Sequence, residues 1–136
     1  QLLLSLPDEA ADLVQEEGYV TSLANTLASP DAAPREELAA QWELLRRNDG
    51  QRLLARTIRY LEDRRAEERR YTGAIEDHPT PLGVVWGAED PIAVAAMPER
   101  LAERVPHLRV DLLEGVGHYP MLEAPEQFAA AVLSHL

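Results

Sequence analysis

Apolar and polar positions change rhythm twice along the chain. Leu38, Trp42 and Leu45 follow Pro34 at helical spacing, with Glu36 and Glu37 ahead of them and Arg46 and Arg47 behind, the charge order that a helix dipole favours. Upstream, Pro7-Asp8 opens a stretch ending at Gly18, a second short helix fits Val20 to Leu27, and Ser29-Pro30-Asp31 breaks the chain. Beyond the turn Asn48-Asp49-Gly50, residues Leu53, Leu54, Thr57, Ile58 and Leu61 share one face of a longer helix. That helix runs into Asp63-Arg64-Arg65-Ala66-Glu67-Glu68-Arg69-Arg70, where opposite signs at i,i+4 spacing describe a solvated face rather than an anion site.

After His78-Pro79-Thr80-Pro81 the helical rhythm stops. Leu82-Gly83-Val84-Val85-Trp86 is a short apolar run of the kind buried on both faces of a parallel sheet. Pro98 to Val105 reads as a helix with proline in its first turn, stopped by Pro106. Leu108, Val110 and Leu112 then alternate with Arg109 and Asp111, as in a strand with one wet face, and Pro125 opens a last helix with Phe128, Val132 and Leu136 inward. The order is helices, then strand, helix, strand, helix, an α/β arrangement without internal repeats. Parallel sheets are covered on both faces and usually hold several strands, so further strands are expected upstream of these two.

Composition narrows the function classes. At 136 residues the chain can bury one modest core. A net charge of -11 and a pI near 4.7 repel phosphate backbones and anionic lipid, which argues against a nucleic-acid partner. No apolar run is long enough to span a bilayer. Without cysteine there is no thiolate nucleophile, thiolate metal site or disulfide. All non-histidine cations are arginine, a bias that decides nothing about function. The chain opens at Gln1 without an initiating methionine, so a preceding portion is expected and the compartment stays open.

Two polar residues occupy telling places. Asp90 stands four residues past the first strand in Trp86-Gly87-Ala88-Glu89-Asp90-Pro91, and His118 follows the second strand in Gly115-Val116-Gly117-His118. Strand carboxyl ends are where open α/β sheets bind ligands. An imidazole there can take a proton from a nucleophile or water, provided that a carboxylate on its other nitrogen fixes tautomer and orientation. Each residue has a plainer explanation: Asp90 before Pro91 could only cap a turn, and His118 between small residues could be only a loop position. It is the joint order, strand, Gly-x-x-Asp, helix, strand, Gly-x-Gly-His, that favours the acid and base reading.

The segment from Trp86 to Pro91, followed by Gly115-Val116-Gly117-His118-Tyr119-Pro120-Met121-Leu122-Glu123-Ala124-Pro125-Glu126-Gln127-Phe128, resembles the end of the α/β-hydrolase fold. Arg47 to Gly50, Ile58 to Arg65 and Glu68 to Ile75 are similar to the cap of mesoderm-specific-transcript-like hydrolases, relatives of haloalkane dehalogenases and epoxide hydrolases. The resemblance implies a partial α/β-hydrolase fold: a helical cap over residues 1–77, then the last two parallel strands and their helices over 78–136. It also implies nucleophile, acid, histidine order, with Asp90 the acid, His118 the base and the nucleophile, aspartate or serine, before Gln1. Glu123 and Pro125 match positions that pack the histidine loop against the last helix.

The expected activity is hydrolysis of a small, mostly apolar substrate without metal or organic cofactor, completed by the missing N-terminal half of the hydrolase core. Tyr60 is the candidate substrate contact, since cap tyrosines in epoxide hydrolases donate a proton; Tyr60 or Tyr71 would do so only if turned inward, and packing is the competing role. Trp42 is expected in the core. The rival readings are a hydrolase-fold protein that binds a ligand or partner without turnover, and a helical interaction module. Alone, the 136 residues are expected to be inactive and poorly folded, since two strands leave an unpaired sheet edge.

Overall fold

The computed structural model describes residues 14–136. The helix opening expected at Pro7-Asp8 lies outside them. The helical part comprises α1 (Glu16–Ala24), α2 (Arg35–Leu45), tight turns over Arg47–Leu53, α3 (Leu54–Thr57), α4 (Tyr60–Ala66) and α5 (Glu68–Glu76). The remainder is β1 (Gly83–Gly87), α6 (Ala96–Arg104), β2 (Arg109–Leu113), α7 (Pro120–Glu123) and α8 (Pro125–Ser134). The two strands pair in parallel, with Gly83 opposite Arg109 and Gly87 opposite Leu113. Among the described residues they form the whole sheet.

The helical core follows from the apolar spacing. Val20, Ala24 and Leu27 from α1 and its exit meet Ala33 and Leu38 in one buried cluster, and Tyr119 and Leu122 from beyond β2 pack against it. Trp42 is 5% exposed, as expected of its stripe, with the Tyr19 ring 5.4 Å away. The helices and the histidine loop therefore share one hydrophobic contact, and burial of that apolar area holds them together.

Several expectations need correction. Gly18 does not end a helix; it lies inside α1, which begins two residues before it. The long helix after Gly50 is broken into α3, α4 and α5. At the first break Arg59 donates to Arg56 O and Glu62 to Arg59 O, the tighter i to i−3 pattern, and at the second Glu67 adopts φ -113°, ψ 29°. Leu53, counted on its apolar face, is 54% exposed.

The alternation expected of β2 is inverted at its end: Leu113 is buried and Leu112 exposed. The reason is α8, whose end takes up the polar face of the strand. His135 Nε2 lies 2.7 Å from Asp111 Oδ2, and Arg109 Nη1 donates to Ser134 O at 2.6 Å. Leu136, expected inward, falls beyond α8 and is 98% exposed, while Phe128 is half-buried. Finally, Val84, Val85 and Trp86 are half-buried rather than covered on both faces.

Leu38 is 1% exposed at the centre of the helical cluster, so Leu38→Ala removes packing that its neighbours cannot restore. In the intact protein this change should cost about 2–5 kcal/mol in chemical denaturation. Leu44→Ala, at a half-exposed position of the same helix, is the comparison and should cost far less. Equal losses for the two variants would mean that the core lies elsewhere.

Candidate active site

The β1–β2 pairing continues past the strand ends and aligns the two loops that follow. Ala88 N–H donates to Leu113 O at 3.0 Å and Glu89 N–H to Val116 O at 2.9 Å, while Gly115 N–H reaches the Glu89 carboxylate at 3.1 Å. The loops touch where both partners lack a side chain. A Cβ on Gly87 would overlap the carbonyl oxygens of Gly117 and Val116, and one on Gly117 would overlap the backbone of Leu27 and Ala28. Glycine at these two positions is what lets the loops approach.

At the junction the carboxylate of Asp90 faces the imidazole of His118. Nδ1 of His118 lies 2.8 Å from Asp90 Oδ2, and Asp90 is 7% exposed. The other oxygen, Oδ1, accepts the amides of Ile92 and Ala93, each at 2.8 Å. Asp90 thus caps its own turn with one oxygen and holds the histidine with the other, so the two explanations weighed from sequence coexist. Burial pushes the carboxyl upward, but the Ala93 amide, the His118 hydrogen bond, the Ile92 amide and the His118 charge outweigh it. The net effect holds Asp90 below the usual carboxylate range.

An ionised Asp90 can only accept, so Nδ1 carries a proton, and in the neutral imidazole the lone pair is then on Nε2. The His118 side chain is 32% exposed, which leaves a face of the ring open to a reactant. Its edge-to-face neighbour is the Tyr119 ring, 4.9 Å away, whose hydroxyl is held protonated to higher pH by burial and by the nearby charge of Asp90. A cavity of about 270 Å³ adjoins the pair, with Val85, Trp86, Pro120, Met121 and Phe128 in its wall.

The histidine loop is pinned at successive amides. Glu123 Oε2 accepts Gly117 N–H and Ala28 N–H, each at 2.8 Å, and Oε1 accepts Tyr119 N–H at 2.9 Å. Between them, His118 N–H donates to Thr26 O at 3.1 Å. Glu123 therefore packs the histidine loop less against α8, as the sequence suggested, than against the segment leaving α1. No local pattern announces the part played by Thr26 and Ala28, which lie some ninety residues upstream of Glu123.

Tyr60 is not brought to this site. It is 46% exposed on α4, with the Arg64 guanidinium over its ring at 5.2 Å and over that of Tyr71 at 5.7 Å. Neither ring is turned inward, because the broken helix presents this stretch to solvent. A separate, charged groove of about 820 Å³ is lined by residues such as Arg65, Arg69, Glu76 and Arg104. Among the described residues, no three histidine, aspartate or glutamate side chains converge as a metal site requires, and no helix is long and apolar enough to cross a membrane.

A family model described as the alpha/beta hydrolase family matches residues 4–131. The protein named "Putative hydrolase LipZ" from Mycobacterium tuberculosis is 41% identical over 127 residues, covering 93% of this chain and 44% of that protein. The mesoderm-specific transcript protein of Mus musculus is 30% identical over 110 residues, covering 79% and 33% respectively. Its homolog in Homo sapiens is 31% identical over 112 residues. The chain thus spans less than half the length of these relatives.

The lowered pKa of Asp90 carries a stability consequence with a definite sign. A carboxyl whose folded value is depressed contributes stability that is present above its unfolded value, about 3.9, and is lost as pH falls through the folded value. Asp90→Asn should therefore be less stable than the wild type at pH 7, and the gap should close as denaturation is repeated down to acid pH. A gap that stayed constant, or widened in acid, would show that the Asp90 charge is not held by these hydrogen bonds.

Proposed function

The chain belongs to the alpha/beta hydrolase family, and from that premise we propose that Asp90 and His118 are the acid and base of a hydrolase whose nucleophile lies elsewhere in the intact protein. Family membership and the likeness to a hydrolase of Mycobacterium tuberculosis support a hydrolase-type function. The observation that carries the finer reading is the 2.8 Å bond between Asp90 Oδ2 and His118 Nδ1. The helical stretch up to residue 77 acts in this reading as a cap over the site, and the greater length of the relatives supports further strands on the free edge of β1.

The chemistry follows from the tautomer. With Nδ1–H committed to Asp90, Nε2 takes a proton from the attacking hydroxyl, or from the water that attacks an ester formed on a carboxylate nucleophile. The imidazolium that results sits against the buried Asp90 carboxylate, which stabilises it without itself taking the proton. The apolar wall beside the pair suits a small, mostly apolar substrate. No metal or organic cofactor enters these steps. Tyr60, half-exposed under Arg64, is left out of them.

The test is turnover by the intact protein on a panel of short-chain aryl esters, epoxides and haloalkanes. His118→Ala should abolish hydrolysis of whichever class is accepted. Asp90→Asn should leave KM close to that of the wild type while lowering kcat by roughly 10⁴, the loss seen when an orienting aspartate is neutralised in a serine protease. Unchanged kcat in the histidine variant would remove His118 as the base. Saturable ligand binding with no turnover across the panel would instead favour the non-catalytic binder.

A further inference from the structure

Three consecutive amides fix the direction in which His118 leaves the main chain, and two of them end on a single carboxylate. Gly117 N–H and Tyr119 N–H donate to Glu123, at 2.8 and 2.9 Å, and the His118 N–H between them donates to Thr26 O at 3.1 Å. The same carboxylate takes Ala28 N–H at 2.8 Å, two residues beyond Thr26. Glu123 and Thr26 O therefore close a ring that runs from the exit of α1 through Glu123 to the histidine loop and back. Gly117 lies against Leu27 and Ala28 inside that ring, with no room for a Cβ. Packing of Tyr119 and Leu122 on the Val20, Leu27 and Leu38 cluster backs it from the other side.

From this geometry we propose that Glu123 is a positioning residue for His118, acting through the backbone, and that it makes the placement of the base depend on the segment joining α1 to α2. The proposal rests on the acid and base reading above and deepens it. Two carboxylate oxygens are needed. A carboxylate offers about four acceptor sites and no donor, so three amides can converge on it without conflict. Glutamine has one acceptor oxygen and an NH₂ that would face one of these N–H groups donor to donor, leaving at least one amide unsatisfied. The loop would then relax, and the imidazole would shift from its 2.8 Å contact with Asp90. Glu123 touches no reacting atom, so its loss should act on the chemical step rather than on substrate binding, as displacement of a catalytic group by about 1 Å can cost on the order of 10² in rate.

The experiment compares the intact wild type with Glu123→Gln, Glu123→Asp and, as a charge control on the exposed first turn of α8, Glu126→Gln. Two readouts are taken: kcat against KM on the accepted substrate, and the proton resonance of His118 Nδ1–H. Glu123→Gln should lower kcat on the order of 10²-fold with KM nearly unchanged, and should move or broaden the Nδ1–H resonance. Glu123→Asp, with the carboxylate but shorter reach, should fall between, and Glu126→Gln should match the wild type. A wild-type resonance and wild-type kcat in a folded Glu123→Gln protein would overturn the proposal. If the wild type turns over no substrate, the hydrolase reading fails, yet the resonance still answers whether Glu123 sets His118. Should Glu123→Gln not fold, amide hydrogen exchange in the wild type decides. Ala28, Gly117 and Tyr119 are expected to open as one unit, and exchange of Ala28 independently of the other two would overturn the clamp.

Discussion

The hydrogen bond between Asp90 and His118 is the interaction to which the rest of the molecule is subordinate. It joins residues twenty-eight apart in sequence, and it forms only because β1 and β2 are parallel and in a register that ends both strands at the same level. A buried carboxylate unsatisfied on any side would be costly. Here one oxygen is taken by Ile92 and Ala93 and the other by the imidazole, so burial does not neutralise the group. The same burial keeps water from competing for Oδ2, and this makes Asp90 an effective anchor for the ring.

Around that bond, small residues and helices serve placement. Gly87 and Gly117 admit the two loops to contact distance, Glu123 fixes the histidine backbone, and the aromatic ring of Tyr119 ties the loop to the helical core. The helical part is therefore no loose appendage of the site. Its first helix delivers Thr26 and Ala28 to the histidine loop, and its apolar cluster includes residues from beyond β2.

Much of this was legible in the residues. The strand positions, the helix after Pro34, the buried Trp42 and the strand-end placement of Asp90 and His118 all follow from short-range patterns: apolar periodicity, proline and glycine punctuation, and charge at helix ends. What escaped was set by long-range contact. Nothing near Leu112 or Leu113 reveals that α8 would cover the Arg109–Asp111 face of β2. The breaks near Arg59 and Glu67 arise where no proline or glycine marks them. Tyr60 was placed beside an apolar stripe by periodicity, and those breaks turn it to solvent beneath Arg64. Glu123 was recognisable as a packing position, but the amide of Ala28 that gives it meaning lies far upstream.

The central claim, that Asp90 fixes His118 as a base with its lone pair on Nε2, is a statement about one proton. It is tested most directly by nitrogen NMR of the intact protein labelled at histidine, read near neutral pH in wild type and in Asp90→Asn. The account predicts a wild-type His118 with the proton on Nδ1 and a bare Nε2, and loss of that preference when the carboxylate becomes an amide. A wild-type ring protonated on Nε2, or a tautomer indifferent to Asp90, would contradict it.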